Sequence, residues 1–339
     1  MTDAELQNLL AKFADLHILV VGDFFLDRYL MIDPDLVETS LETGLDAHQV
    51  VAIRNQPGAA GTVTSNLHAM GVGNILALGV VGDDGQGYDL VKGLRATNVN
   101  TNSLIHSPER LTPTYTKPVN LKTGQEHQRQ DIKNHTPLPT DLEDRLIQAL
   151  RQLVPKVHGV IALDQVAEPN CGTLTTRVTA ELSRLADQNS EKFFFADSRT
   201  RIGDFQNAIL KPNRSEALRA AKSENSGPSD RATLATYAGT LAQRTGKPVF
   251  VTMDKDGILA TDGRNTVHIP GIVVPPPIDI VGAGDSVSAS VVAALCAGAP
   301  MADAAQLGVI VSSITIGQIG TTGTASPDQI LARFREAIA

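Results

Sequence analysis

The sequence of 339 residues has no tryptophan, only 4% aromatic residues, and two cysteines, Cys171 and Cys296. Two thiols cannot form a disulfide framework, and they match no metal-ligand spacing, so a disulfide-rich secreted protein is excluded and a reducing compartment is expected. No apolar run reaches the roughly 18 residues that suggest a membrane span. The N-terminal segment also lacks the apolar stretch of an export signal, which predicts a cytoplasmic protein.

Basic residues are too few for a nucleic-acid-binding surface. Twenty-nine Lys and Arg residues face 37 Asp and Glu residues, which gives a formal net charge of −8. This balance argues against nucleic acid as a partner but allows a small anion to bind to a few local cations. The 28 glycines, together with the scarce aromatics, fit a ligand that meets the backbone, although a glycine-tolerant fold explains them equally well.

Short apolar runs alternate along the chain with amphipathic stretches, which predicts an α/β fold with a mostly parallel sheet and helices on both faces. The predicted strands cover residues 17–23, 75–83, 159–164, 192–197, 208–213 and 248–253. The predicted helices cover residues 61–70, 84–97, 140–153, 172–189, 229–245, 284–298, 301–317 and 326–338. Several strands end in Asp, Asn or Gly, and such sheets bind ligands at the carboxyl ends of their strands.

Two stretches interrupt this alternation. Residues 24–56 and 103–133 have the alternating polarity of antiparallel strands, which predicts a small second sheet that projects as a lid. The low-complexity segment 223–230 is predicted to be a surface loop. The chain is therefore interpreted as one domain over residues 1–339 with a discontinuous β lid.

The strongest local pattern is Asp279-Ile280-Val281-Gly282-Ala283-Gly284-Asp285, which leads into an Ala- and Val-rich helix. A glycine turn before a helix directs free amides and the positive end of the helix dipole at one place, which suits an anion. Asp285 could simply cap this helix. The alternative is an anion hole beside a carboxylate base, as phosphoryl transfer to a hydroxyl requires.

Other nucleotide-binding motifs are missing from the sequence. There is no GxxxxGK[ST] motif, and the glycines at 282–284 do not complete a dinucleotide fingerprint. A second glycine turn occurs at residues 57–66, and residues 212–216 place an Asn and a Glu three residues apart after a predicted strand.

Taken together, these segments resemble the PfkB (ribokinase-like) carbohydrate kinases over nearly the whole chain. The matching segments, in family order, are GDFFLDRY (22–29), PGAAGTVTSN (57–66), GVVGDDGQG (79–87), TPTYTK (112–117), KPNRSE (211–216), VTMDKDG (251–257), DIVGAGD (279–285) and GQIGTTGT (317–324). Within the family, GDFFLDRY, TPTYTK and HQRQD (127–131) look most like the kinases that act on heptose 7-phosphate.

The resemblance implies a ribokinase-like fold and ATP- and Mg²⁺-dependent phosphorylation of a sugar or sugar phosphate. Asp285 would be the general base, and the amides of Gly282, Ala283 and Gly284 would hold the phosphoryl oxygens. The implied nucleotide-binding residues are Asn213, Glu216, Arg199, Thr252, Gly257 and Gly320. Glu216 would act on Mg²⁺ through water, and Asp279, with carbonyls near Val281 and Gly320, would form a K⁺ site.

The implied acceptor-binding residues are Asp23, Asp27, Gly58, Ala59, Thr62, Lys117, Arg129 and Asp164. The carboxylates would accept hydrogen bonds from sugar hydroxyls, the 58–59 backbone would approach the sugar, and Lys117 and Arg129 would hold a phosphate already on it. Plainer interpretations stay open: Asp27 could pair with Arg28, and lone cations on an edge strand commonly face solvent.

The sequence departs from the family pattern at several positions, including Thr62 (usually Asn), Asp254 (usually Gly) and Gln318 (often Lys in heptose kinases). Ile280 replaces a usual Thr, and Val119 replaces an Arg of the heptose-kinase pattern. Two alternatives therefore remain: a non-catalytic sugar or nucleotide sensor, and a kinase for a nucleoside or vitamin alcohol. The open edges of the lid, and the resemblance, also predict a homodimer formed through the lid.

Overall fold

The computed structural model describes residues 1–221 and 230–338. The strands in chain order are β1 (His17–Gly22), β2 (Phe24–Thr39), β3 (Asp46–Ala59), β4 (Asn74–Gly82), β5 (Val99–Ser107), β6 (Thr114–Asn120), β7 (Gln130–Ile132), β8 (Gly159–Asp164), β9 (Phe193–Ser198), β10 (Ile209–Leu210), β11 (Val249–Thr252), β12 (Ile258–Thr261) and β13 (Thr266–Ile269). The helices are α1 (Asp3–Ala11), α2 (Ala60–Ala69), α3 (Gly85–Ala96), α4 (Thr140–Leu153), α5 (Thr176–Gln188), α6 (Arg214–Ala220), α7 (Arg231–Thr245), α8 (Ala283–Cys296), α9 (Met301–Thr315) and α10 (Pro327–Ile338).

The larger sheet has nine strands in the order β13-β12-β11-β10-β9-β8-β1-β4-β5. Its pairings are parallel from β11 to β5, and the β11–β12–β13 end is antiparallel. Side chains along β1 alternate between two apolar clusters, with Ile18 and Val20 on one face and Leu19 and Val21 on the other. The first cluster is covered by α1, α2, α3, α8, α9 and α10, and the second by α4 to α7. The α/β class with helices on both faces is confirmed.

The second sheet has four strands in the order β3-β2-β6-β7, and we call it the lid. β2 and β3 form a long antiparallel hairpin, while β6 runs parallel to β2. Residues 103–107, which the sequence pattern assigned to the lid, belong instead to β5 at the edge of the larger sheet. An edge strand is half exposed, so its alternating polarity resembles that of a lid strand.

The six predicted strands and eight predicted helices all appear; β8 and α4 have the predicted bounds, and the others have shifted ends. The helix predicted over 172–189 begins only at Thr176, because the Thr175 side chain accepts a hydrogen bond from the Val178 amide at 3.3 Å and so caps the helix there. Helix α1 was not predicted, although Thr2 and Glu5 form a capping box that marks its start. The segment 223–230 lies outside the described residues except for Asp230, the N-cap of α7.

Helix α8 positions the 279–285 turn. Its residues from Ser286 to Leu295 are all buried, and it packs between α2 and α9. The Ser290 hydroxyl donates to the Ser286 carbonyl at 2.8 Å, so this buried polar group has a partner within the helix. In the described part of the chain, no helix is both long and apolar enough to cross a membrane.

Candidate active site

Four parallel strands bring polar side chains to one edge of the larger sheet. Asp23 follows β1, Asp164 ends β8, Asp197 lies at the end of β9, and Lys211 follows β10. The amino end of α8 meets this edge, because a Cβ placed on Gly284 would lie 3.5 Å from the Lys211 Nζ. The carboxyl ends of the strands and the start of α8 thus form one site, as expected for such sheets.

Asp285 lies in the first turn of α8 and is partly buried. Burial and the negative charge of Asp197 raise the pKa of Asp285 to about 7, against the opposing effect of Lys211 and Arg199. Lys211 Nζ lies 2.8 Å from Asp197 Oδ2, and the Ser288 hydroxyl donates to that same oxygen at 2.9 Å. A carboxylate with a pKa near 7 can take up a proton at neutral pH, which suits a general base.

The turn before α8 leaves several amides free. Gly282 has a left-handed backbone with φ of 81°, and the Ala283 amide donates to the Ile280 carbonyl at 3.2 Å. Among the described residues, the amides of Gly282, Gly284 and Asp285 have no acceptor. Free amides at a helix start bind anions. The Ala283 amide, predicted to hold phosphoryl oxygens, is thus used inside the turn, and the Asp285 amide is available beside it.

Asn213 and Glu216 form a reciprocal capping box at the start of α6. The Glu216 carboxylate accepts the Asn213 amide at 2.7 Å, and the Asn213 side chain accepts the Glu216 amide at 2.9 Å. Burial, reinforced by the charge of Asp197, raises the pKa of Glu216, while Lys211 lowers it. Both residues therefore stabilise the helix, and Glu216 also belongs to the electrostatic environment of Lys211 and Asp197.

Three further residues are predicted to bind the nucleotide: Thr252, Arg199 and Gly257. Thr252 forms a parallel bridge with Asn213, and its amide donates to the Pro212 carbonyl at 3.0 Å. Arg199 is exposed just after β9, and its positive charge lowers the pKa of Asp285. Gly257 has φ of 87°, and a Cβ there would come within 2.1 Å of the Ile269 carbonyl oxygen, so the hairpin itself requires glycine. Asp254, which replaces a usual glycine, has φ of 52°, a conformation that Asp tolerates.

Among the residues predicted to bind the acceptor, Asp27 and Lys117 form a buried ion pair between β2 and β6, with Oδ1 and Nζ 3.0 Å apart. Lys117 Nζ also lies 3.2 Å from the Tyr29 hydroxyl. Burial lowers the pKa of Lys117, but Asp27 and Tyr29 outweigh it, so the pKa is raised overall. A Cβ on Gly58 would come within 2.5 Å of Asp27 Oδ2, so glycine is needed beside this carboxylate. The negative charge of Asp27 also contributes to the raised pKa of Asp285.

Residues 57–66, which end β3 and begin α2, lie against the start of α8. Thr62 is buried, and its methyl group would lie 3.1 Å from a Cβ on Gly282. Ala59, directly before α2, has φ of 53° and ψ of −116°, a conformation that favours glycine. The two glycine-containing segments that the sequence singled out, residues 57–66 and 279–285, are therefore in contact.

The structure gives Asp23 and Asp164 a different environment from the one predicted. Both are nearly fully buried. Asp23 accepts the amides of Gln165, Val166 and Thr173 at 2.9, 3.0 and 2.7 Å. Its oxygens therefore hold the loop after β8, and this environment offers little support for a contact with sugar hydroxyls.

Asp164 bonds to the Ser198 hydroxyl at 2.6 Å and to the Arg201 guanidinium. Burial, together with the charge of Asp23, raises the pKa of Asp164 to about 7. Arg201, which sequence reasoning missed, also donates to the Val166 carbonyl at 3.1 Å. Asp164 therefore anchors the same loop as Asp23.

Arg129 lies apart from this cluster on the lid. It forms a two-bond ion pair with Asp131 at 2.7 and 2.9 Å, and its guanidinium stacks 4.2 Å from the centre of the Tyr115 ring. Lys211 was also missed by sequence reasoning. Its signal was present, because KPNRSE places it directly after a strand and before the Asn-x-x-Glu pair.

Protein donors contact two of the groups predicted to bind K⁺, the Asp279 carboxylate and the Gly320 carbonyl. Asp279 Oδ1 accepts the Val281 amide at 3.0 Å, and Oδ2 accepts the Gly320 amide at 3.1 Å. The Gly320 carbonyl accepts Arg54 Nη2 at 2.6 Å. The described residues contain no cluster of three or more His, Cys, Asp or Glu side chains that could hold a metal ion.

The chain resembles curated proteins over its whole length. It is 29% identical over 329 residues to the bifunctional protein HldE of Trichlorobacter lovleyi, covering 96% of this chain and 64% of that protein. It is 28% identical over 335 residues to the bifunctional protein HldE of Geobacter metallireducens, covering 98% of this chain and 65% of that protein. The chain thus spans less than two thirds of the length of these relatives.

Solved structures show the same fold. The ribokinase of Thermotoga maritima aligns with a TM-score of 0.70 at 18% identity, covering 94% of this chain and 99% of that one. Phosphofructokinase-2 of Escherichia coli in complex with potassium aligns with a TM-score of 0.69 at 17% identity, covering 96% and 100%. The model of the pfkB family carbohydrate kinases matches residues 24–329, so the chain belongs to this family of sugar kinases.

Proposed function

We propose that this protein transfers the γ-phosphoryl group of ATP to a hydroxyl of a sugar or sugar phosphate. The observation that carries the proposal is the position of Asp285, a carboxylate with a pKa of about 7 beside the free amides at the start of α8. In this reaction the acceptor oxygen bonds to the γ-phosphorus, the bond from that phosphorus to ADP breaks, and the acceptor proton passes to Asp285.

The free amides of Gly282, Gly284 and Asp285 stabilise charge on the transferred group, and Lys211 lies beside them. Arg199 supplies a second cation at the same edge of the sheet. The nucleotide would then be positioned by Asn213, Thr252 and the 317–324 loop. In this proposal residues 1–339 act as one catalytic domain, and closure of the lid excludes water.

The residues of the cluster fit a divalent cation carried by the nucleotide. Three carboxylates, Asp197, Glu216 and Asp285, lie near Lys211. Burial, together with the negative charge of Asp197, raises the pKa values of Glu216 and Asp285. Mg²⁺ would be held by Glu216 through water and by the phosphates, because few protein ligands are available. When bound, the ion neutralises charge that develops on the phosphates.

For the acceptor, the motif pattern and the two HldE relatives support heptose 7-phosphate as the first candidate. The buried Asp27–Lys117 pair lies on the acceptor side of Asp285 and can take hydrogen bonds from hydroxyls and give one to a phosphate. Arg129 would reach the phosphate only after leaving Asp131.

An ADP-release assay over a panel of acceptors tests the proposal. The panel includes heptose 7-phosphate, fructose 6-phosphate, ribose, a nucleoside and a vitamin alcohol. We expect release with a sugar or sugar phosphate, and its loss in Asp285→Asn. Asp187→Asn, an exposed carboxylate on α5, is the matched control and should keep full activity. ATP binding without release for any acceptor would contradict the proposal and support the sensor alternative.

We also propose a homodimer through the lid. The lid exposes apolar side chains that a second copy could cover, namely Leu36, Val37, Leu41, Leu45, Val50, Val51 and Ile53. β3 is an edge strand of the lid, with one side open for pairing. Light scattering on the purified wild type should give twice the monomer mass. The Ile53→Lys variant should give the mass of one monomer. A monomeric wild type would contradict the dimer.

A further inference from the structure

Arg54, on the lid strand β3, makes a contact that the family resemblance does not suggest. Its Nη2 atom donates to the Gly320 carbonyl at 2.6 Å, in the loop that follows α9. Two residues further along the strand, Gln56 Nε2 donates to the Thr321 hydroxyl at 2.7 Å. The lid is therefore fastened to the 317–324 loop by two adjacent side chains of one strand.

The same loop is held from its other side by Asp279. The Gly320 amide donates to Asp279 Oδ2, and the Val281 amide donates to Oδ1. Gly320 has φ of 72°, which lets it present its amide to one partner and its carbonyl to another. The Asp279 carboxylate thus binds the amide of Gly320, and the Arg54 guanidinium binds its carbonyl.

One predicted ligand of a monovalent cation, the Gly320 carbonyl, already accepts a hydrogen bond from a permanent cation, the Arg54 guanidinium. A K⁺ ion at the same carbonyl would lie close to that positive charge, so the site does not fit the ion while Arg54 is in place. A guanidinium is a permanent cation with directional donors, so it can satisfy a carbonyl as a bound ion would. The Arg54 guanidinium therefore places a positive charge from the lid at the Gly320 carbonyl.

Arg54 also reaches the acceptor side. Its guanidinium lies 4.1 Å from the centre of the Tyr29 ring, and the Tyr29 hydroxyl lies 3.2 Å from Lys117 Nζ. Lys117 pairs with Asp27. Arg54 therefore contacts the loop that is tied to the 279–284 turn and also Tyr29, the neighbour of the Asp27–Lys117 pair.

We propose that Arg54 is a positioning residue that takes the place of a monovalent cation, fixes the 279–284 turn through Gly320 and Asp279, and couples that turn to the lid. The inference rests on the proposed kinase function. It predicts that phosphoryl transfer by this protein needs no added K⁺.

The test compares wild type, Arg54→Met and Arg54→Lys in buffers whose only monovalent cation is tetramethylammonium or K⁺. Arg264→Met, an exposed arginine in the turn between β12 and β13, is the matched control. We expect wild type and control to have the same kcat in both buffers. Arg54→Met should lose about tenfold in kcat without K⁺, since a hydrogen bond to a charged group is lost, and recover part of it with K⁺. Arg54→Lys should fall between the two.

A wild type that needs K⁺, an Arg54→Met variant with unchanged kcat, or a loss that K⁺ does not relieve would each overturn the inference. A second readout works without turnover: thermal unfolding with increasing K⁺. K⁺ should stabilise Arg54→Met more than wild type, and an equal response would overturn the inference. Absence of turnover with every acceptor would instead count against the proposed function, and the unfolding data would still decide the role of Arg54.

Discussion

Lys211 Nζ lies 2.8 Å from Asp197 Oδ2, and this pair stands directly beside Asp285 at the start of α8. The lysine is buried, and besides pairing with Asp197 it favours the ionised form of two further carboxylates, Glu216 and Asp285. Loss of this one cation would therefore change both the chemistry and the stability of the site.

We expect Lys211→Met to lower kcat/KM on the order of 100-fold, because a charge-assisted contact to the transferred group is removed. The pKa of Asp285 should also rise, since Lys211 lowers it in the wild type. The acidic limb of the pH–rate profile should therefore move to higher pH, which a purely structural role would not produce. Lys92→Met, an exposed lysine on α3, is the control; an unshifted profile in Lys211→Met would contradict the assignment.

The activity should depend on pH through Asp285. Only the ionised carboxylate can accept a proton, and its pKa of about 7 means that the base is mostly protonated at pH 6 and mostly ionised at pH 8. We expect kcat/KM for the acceptor to fall with decreasing pH below about 7, by about tenfold per pH unit, and to level off above it. A profile flat from about pH 5 to pH 8 would exclude Asp285 as a base that titrates in this range.

The same pKa makes a prediction about stability. Folding raises the pKa of Asp285 from 3.8 to about 7, so the folded protein favours the protonated form. The resulting stabilisation is full below about pH 4 and is lost as pH rises through about 7. Above pH 7 the ionised carboxylate lowers the free energy of unfolding, and Asp285→Asn removes this destabilisation. We expect this variant to gain about 1–2 kcal/mol in free energy of unfolding at pH 8, less than the full shift because solvent reaches the side chain.

The gain of Asp285→Asn should disappear near pH 4, where wild-type Asp285 is itself protonated. Urea unfolding of both proteins at the two pH values measures the difference. A variant less stable than wild type at pH 8 would show that the ionised carboxylate has stabilising partners outweighing its burial.

Ala59, the residue directly before α2, offers a test of backbone strain. Its φ of 53° and ψ of −116° favour glycine, so we expect Ala59→Gly to stabilise the protein by about 1 kcal/mol. Ala52→Gly, in the exposed part of the same strand β3, should instead destabilise it, because glycine costs conformational entropy in an ordinary strand. Thermal unfolding compares the pair, and equal effects of both substitutions would contradict strain at Ala59.

Much of the fold could be predicted from the sequence, because the signals are local. Apolar runs of strand length and amphipathic stretches predicted the alternation of the larger sheet, and the six predicted strands and eight predicted helices appear within a few residues of their predicted ends. Strands β12 and β13 and helices α1 and α6 were not predicted. Residues 103–107 were misassigned to the lid, since an edge strand of the larger sheet and a strand of the lid have the same alternating polarity. Only pairing with β4 distinguishes them.

The candidate site divides in the same way. The sequence by itself determined the glycine turn that starts α8, with Asp285 in its first turn, because the residue types and their spacing specify a helix start with free amides. Tertiary structure alone decided which carboxylates are open and which are occupied: Asp23 and Asp164 anchor a loop, Asp27 pairs with Lys117, and Lys211 joins Asp197 to Asp285. The 266 positions between Arg54 and Gly320 show why. Ion pairs and pKa values depend on distance and burial in space, and no local pattern in the sequence encodes a contact between segments so far apart.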